Sequence, residues 1–96
     1  MPLDRVPARL TEVTVDDETA VYNPITDTVV LLNASASEIW RRTPLTSLEH
    51  VAVELAEHFG IEPREALAGV QAGVELLLRE QLLVEVPGVD GPSAGA

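Results

Sequence analysis

His50, Glu54 and His58 recur every fourth residue in a stretch whose apolar residues fall at helical spacing, which sets them in one row on a helix face. The chemistry such a row would serve is metal binding, but the two imidazoles lie about two turns apart, roughly 12 Å by helix rise. That is too far to share one metal directly, since metal pairs on a helix use spacings of three or four. A solvated helix face accounts for the row with nothing added, and is the reading taken. Ser35, Ser37, Ser47 and Ser93 have no base nearby in sequence and no G-x-S-x-G elbow around them. Gly69 and Gly73 sit inside a helical pattern rather than in a phosphate-cradling loop. No catalytic residue, no metal and no cofactor is expected.

The remaining chemistry is that of the main chain. Thr28-Val29-Val30-Leu31-Leu32 is a strand of consecutive aliphatics without alternation, which predicts cover on both faces. Asn33 follows at once and offers a side-chain oxygen to cap a helix beginning near Ala34. The strand holds no Lys, no Pro and no inward charge to blunt an open edge. Three readings are open for that edge: cover by the later Leu83–Val86 strand, cover by a second copy, or completion by a guest peptide. In the last, main-chain hydrogen bonds give affinity and pockets for alternate side chains give specificity.

The elements that must position this edge are legible in order. Arg9 to Val15 reads as a first strand, Asp16-Asp17 as a turn, and Thr19 to Asn23 as a second strand. Asn23 to Asp27 forms another turn with Pro24 at its corner. Short connections predict an antiparallel meander with the second strand central, leaving Thr28 to Leu32 at the border. A first helix covers about Ala34 to Arg42 and stops before Pro44. The second opens on a capping box, Thr46 with Glu49, carries the stripe Leu48, Val51, Ala52, Leu55, Ala56 and Phe59, and ends at Gly60. The third starts at Glu62-Pro63 and runs to about Gln81. A short strand, Leu83 to Val86, follows. The expected fold is α+β and winged-helix-turn-helix-like: a three-stranded antiparallel sheet followed by three helices.

Gly69 and Gly73 each cost about 1 kcal/mol relative to Ala in a helix interior. Close packing against a neighbour is the reading preferred; the alternative is a groove that admits an extended peptide. Trp40 reads as a core aromatic or as the floor of a pocket.

Composition sets the partners. Sixteen acids oppose six arginines and no lysine, for a formal charge of -10. Nucleic-acid affinity rests on clustered cations, so a winged-helix outline here does not imply DNA binding. Arg64 and Arg79 are the only bases on the third helix, outnumbered by Glu65, Glu75 and Glu80. Without cysteine there is no disulfide framework and no Cys-based zinc site. No stretch is apolar for long enough to span a bilayer and the N-terminus lacks a signal-peptide pattern, so neither nucleic acid nor membrane is an expected partner and the expected location is cytoplasmic.

The string Leu31-Leu32-Asn33-Ala34-Ser35-Ala36-Ser37-Glu38-Ile39-Trp40 resembles the strand–LN-x-small-x-small-x-x-I-W core of PqqD-like proteins, the peptide-recognition elements of ribosomally made, modified peptide pathways. Val51 to Gly60, Ile61-Glu62-Pro63 and the closing Leu76 to Val84 also look like that family, and the likeness covers about residues 9 to 86. The resemblance implies a recognition domain over 9–86, which leaves an expected N-terminal arm over 1–8; the composition of Pro87 to Ala96, without apolar payload, predicts a mobile tail over 87–96. It implies that the leader of a precursor peptide adds antiparallel to Thr28, Val29, Val30, Leu31 and Leu32, with Leu67, Val70, Gln71, Val74 and Leu78 of the third helix lining the cleft. Chemistry would belong to a partner, a leader peptidase or another maturation enzyme. The Cys-Asp-Gly element that pyrroloquinoline-quinone chaperones often carry after the first helix is replaced by Arg41-Arg42-Thr43-Pro44-Leu45-Thr46. In its single-domain form and its Asn33…Trp40 signature the chain looks closer to the freestanding leader-binding subunits of lasso-peptide pathways. The alternatives are a quinone or mycofactocin-type chaperone working with a radical enzyme, and, in another class, a structural subunit that dimerises through the edge strand.

Overall fold

Two aspartates shape the sheet. Asp16 and Asp27 both hold φ at 56°, a left-handed conformation that a short polar side chain tolerates better than a branched one. The computed structural model, which describes residues 2–86, uses Asp16 and Asp17 to turn β2 (Thr11–Val15) into β3 (Glu18–Asn23), after β1 (Leu3–Arg5). The loop from Pro24 to Asp27 then leads into β4 (Thr28–Leu32). The order β2-β3-β4 is antiparallel throughout, with β3 central and β4 at a border, as the short connections predict.

Asn23 locks the second turn to the rest of the molecule. Fully buried, it accepts from the Ile25 amide at 2.9 Å and donates through Nδ2 to the Gln81 carbonyl at 3.0 Å. A buried amide left without such partners would be costly, so these bonds fix where the β3–β4 hairpin sits.

Beyond the sheet come α1 (Ala34–Arg41), α2 (Leu48–Phe59), α3 (Pro63–Arg79) and β5 (Leu83–Glu85). Asn33 caps α1 as expected, its Oδ1 accepting from the Ala36 amide at 2.9 Å. The cap of α2 is Ser47 rather than Thr46: Ser47 Oγ accepts from His50 N at 3.2 Å. This shift puts His50, not Glu49, at the position a reciprocal capping box requires, so that box does not form. Gly60 ends α2 with φ 67°, and Pro63 opens α3 behind Glu62.

Two expectations are corrected. Residues 1–8 were expected as an arm, yet Leu3–Arg5 is a strand paired antiparallel with Leu83–Glu85, and Leu3 is a buried core residue bridged to Leu45 through both main-chain groups. That pairing also means β5 does not cover the border of the larger sheet. Second, the Thr28–Leu32 run alternates after all. Val30 and Leu32 face a core built from Val21, Ile39, Trp40, Leu55, Val70, Leu77 and Leu82, whereas Val29 and Leu31 are exposed. The tail expected over 87–96 lies outside the described residues.

Candidate functional site

The site begins with hydrogen-bond parity along a strand. The two-residue turn makes Val15 and Glu18 a bonded pair, and the antiparallel alternation extends this to Val13–Ala20 and Thr11–Tyr22. Ala20 and Tyr22 thus spend their main-chain groups on β2, leaving those of Thr19, Val21 and Asn23 for β4. Their partners Leu32, Val30 and Thr28 point inward. Val29 and Leu31 therefore direct both N–H and C=O away from the sheet, and among the described residues no strand lies on that outer side of β4. These two donors and two acceptors form a template for one more strand.

The sheet has a second border, β2, but its chemistry differs. Glu12, whose main-chain groups point outward there by the same parity, carries a charge held by Arg5 at 2.6 Å. A charge on an edge opposes pairing. β4 carries none.

At the Leu32 end, the rail leads into a hollow of about 360 Å³ lined by Asn33, Ala34, Ser35, Phe59 and Ile61. Phe59 and Ile61, both exposed, were not read as site residues; their signal was only two large apolar residues flanking the Gly60 stop. The expected cleft residues of α3 divide. Val70 and Val74 are buried in the core, and Leu67 is half-buried against it. Gln71 lines a different cleft, with Leu3, Leu45, Thr46, Ser47, Leu48 and Glu49. Leu78 is 37% exposed and is the one large apolar member of the five with substantial free surface. Gly73 takes the packing role, against Ile39, while Gly69 faces open space. Trp40 is core, 1% exposed, with the Arg5 guanidinium 4.1 Å from its ring centroid.

The histidine row has a structural occupation. Glu54 accepts from Arg42 at 2.8 Å and lies 3.1 Å from His50, while His58 turns to Glu38 at 3.7 Å. Glu38 also accepts from Arg42 at 2.6 Å and from Arg41. The hydrogen bond from Arg42 holds the Glu38 carboxyl below the usual range, against an opposing push from burial; Arg42 lowers Glu54 in the same way. The network joins α1 to α2. Among the described residues, no three His, Asp or Glu side chains are gathered to hold a metal ion, and no helix is long and apolar enough to cross a membrane.

A small winged-helix-like α+β domain with an open, uncharged sheet border is the class these features define. The chain belongs to the PqqD family: the model described as coenzyme PQQ synthesis protein D matches residues 18–83, from the start of β3 to the start of β5. The fold is also that of a solved structure described as TbiB1 in complex with the TbiA(beta) leader peptide, with a TM-score of 0.74 and 17% identity over 88% of this chain and 99% of that one. No curated protein matches the sequence.

Proposed function

We propose that this chain is a non-catalytic peptide-recognition module that captures the leader of a ribosomally made precursor by strand addition along Thr28–Leu32 and presents it to a maturation enzyme. The observation that carries this reading is the outward parity of Val29 and Leu31 on a border with no charge. Family membership supports it, as does the leader peptide bound in the complex of similar fold. A guest running antiparallel to β4 places its N-terminal residues at the Leu32 end, where Phe59 and Ile61 offer an apolar seat. Leu78, exposed on α3, is the large apolar residue of that helix proposed to touch the guest, whereas Val70 and Val74 belong to the core.

The absent Cys-Asp-Gly element favours a lasso-type pathway, in which the partner is a leader peptidase, over quinone or mycofactocin pathways with a radical enzyme. The description of the matching family model favours the quinone pathway instead. The neighbouring genes discriminate: a protease and an asparagine-synthetase-like cyclase for the first, a radical enzyme for the second.

The test is amide hydrogen exchange with and without a synthetic cognate leader. Capture by strand addition slows exchange at Val29 and Leu31 while Val30, already bonded to β3, changes little. Binding that leaves the Val29 and Leu31 amides at their free rate would end the strand-addition reading. A concentration-dependent dimer protecting the same two amides without leader would favour the structural-subunit alternative.

A further inference from the structure

The sheet has an outer face whose side chains are distinct from the outward main-chain groups of β4. Cross-strand register stacks Thr11, Tyr22 and Val29 in one row, Val13, Ala20 and Leu31 in the next, and Val15 with Glu18 in the last. Val13, Val15, Val29 and Leu31 are 58% to 76% exposed, and a hollow of about 330 Å³ opens among Val13, Val15, Glu18, Ala20 and Leu31 and reaches Leu32 and Asn33 at the end of β4. Contiguous apolar surface of this kind marks an interaction site more often than chance exposure does.

Its fringe is mainly acidic, with Arg9, just before Thr11, the nearest base in sequence. Asp16, Asp17 and Glu18 close one end, and Asp27 stands at the other, accepting from the Tyr22 hydroxyl at 2.9 Å. From Thr11 to Leu32 there is no basic residue. A second copy laid face to face would set Asp16, Asp17, Glu18 and Asp27 against acids of the same kind. An anionic membrane or a nucleic acid would be repelled in the same way.

We propose that this face docks a partner protein whose contact patch is apolar at the centre and fringed by Lys or Arg. Charge complementarity selects the occupant, and the aliphatic rows supply the buried area. The surface reaches beyond the leader border: Val29 and Leu31 give it their side chains and give the border their main chain, while Val13 and Val15 lie on β2, two strand spacings, about 9.5 Å, from β4. Both sites can be filled at once, which is what a module that holds a precursor while touching an enzyme requires.

The experiment uses the isotope-labelled full chain and two synthetic helical peptides, each with Leu along one face and either Lys or Glu on the other. The Lys peptide is expected to shift the amide signals of Val13, Val15, Ala20 and Tyr22 and to bind at least tenfold tighter than the Glu peptide at low salt. Val13→Thr with Val15→Thr, both exposed and β-compatible, should weaken it at least tenfold while leader affinity stays at the wild-type value. Glu18→Gln with Asp27→Asn should shrink the Lys-over-Glu preference. Shifts that map elsewhere, equal binding of both peptides, or self-association through these rows in sedimentation would overturn the proposal. If wild-type chain fails to bind leader while the Lys peptide still maps to this face, the leader reading falls and the docking face stands.

Discussion

A β-carbon on Gly73 would stand 2.6 Å from Cδ1 of Ile39, closer than real contacts allow, and Ile39 is fully buried. The missing side chain is what lets α1 and α3 approach. Gly69, one turn earlier, has nothing within 4 Å of the same imagined atom. Gly73→Ala should therefore destabilise by about 1–3 kcal/mol through overpacking, despite its gain in helix propensity. Gly69→Ala should instead stabilise by up to about 1 kcal/mol. Denaturant midpoints of the two variants, moving in opposite directions, check the assignment; a stabilised Gly73→Ala would refute it.

Proline separates the two kinds of position on β4. Leu31→Pro removes an outward amide and spares the β3 ladder, so it should cost leader binding at least tenfold with little change in the far-ultraviolet dichroism. Val30→Pro removes an inward amide beneath a buried side chain and should lower stability by about 3 kcal/mol or more. Leader titration and thermal melts on the pair give the answer. An unchanged affinity for Leu31→Pro would exclude the rail.

Arg5 pins the N-terminal strand. Its guanidinium lies over Trp40 and donates to Thr43 Oγ1 at 2.8 Å, the Trp40 carbonyl at 2.9 Å and Glu12 at 2.6 Å. Arg5→Ala should cost about 1–3 kcal/mol, and Arg5→Lys should recover only part, because an ammonium cannot reproduce the planar fork. Melting of both variants tests this; full recovery by Lys would reduce the role to charge alone.

Acid should loosen the α1–α2 junction. A carboxyl whose folded pKa is depressed contributes stability above its unfolded pKa and loses it as pH falls through the folded one. Glu38, lowered chiefly by Arg42, is such a group. The melting temperature should fall with acidification below the ordinary glutamate range, about pH 4.3. Glu38→Gln should flatten that slope and cost about 1 kcal/mol near neutrality. An unaltered slope would place the acid sensitivity elsewhere.

Local rules carried most of the architecture. Turn aspartates, the Asn33 cap, the Gly60 stop and the Pro63 start each act within a few residues, so the meander and three helices were readable from spacing alone. What escaped depends on distance along the chain. Leu3–Arg5 is a strand only because Leu83–Glu85 lies beside it, and three residues carry no period of their own. The Thr28–Leu32 run recorded hydrophobicity but not cover: Val29 and Leu31 have the same chemistry as Val30 and Leu32, and only register tells them apart. The α3 stripe is legible from its period, but which flank meets the sheet is not, and Gln71 lines a cleft with Leu3 and Leu45 that sequence spacing does not reveal.

The pairing of β1 with β5 brings the Val86 amide to 2.9 Å from the Pro2 carbonyl. Entry to and exit from the described domain therefore lie side by side. Spliced through that doorway into a surface loop of an unrelated enzyme, residues 2–86 would stretch the host's backbone very little, and the β4 border would arrive with its outward groups still unpaired.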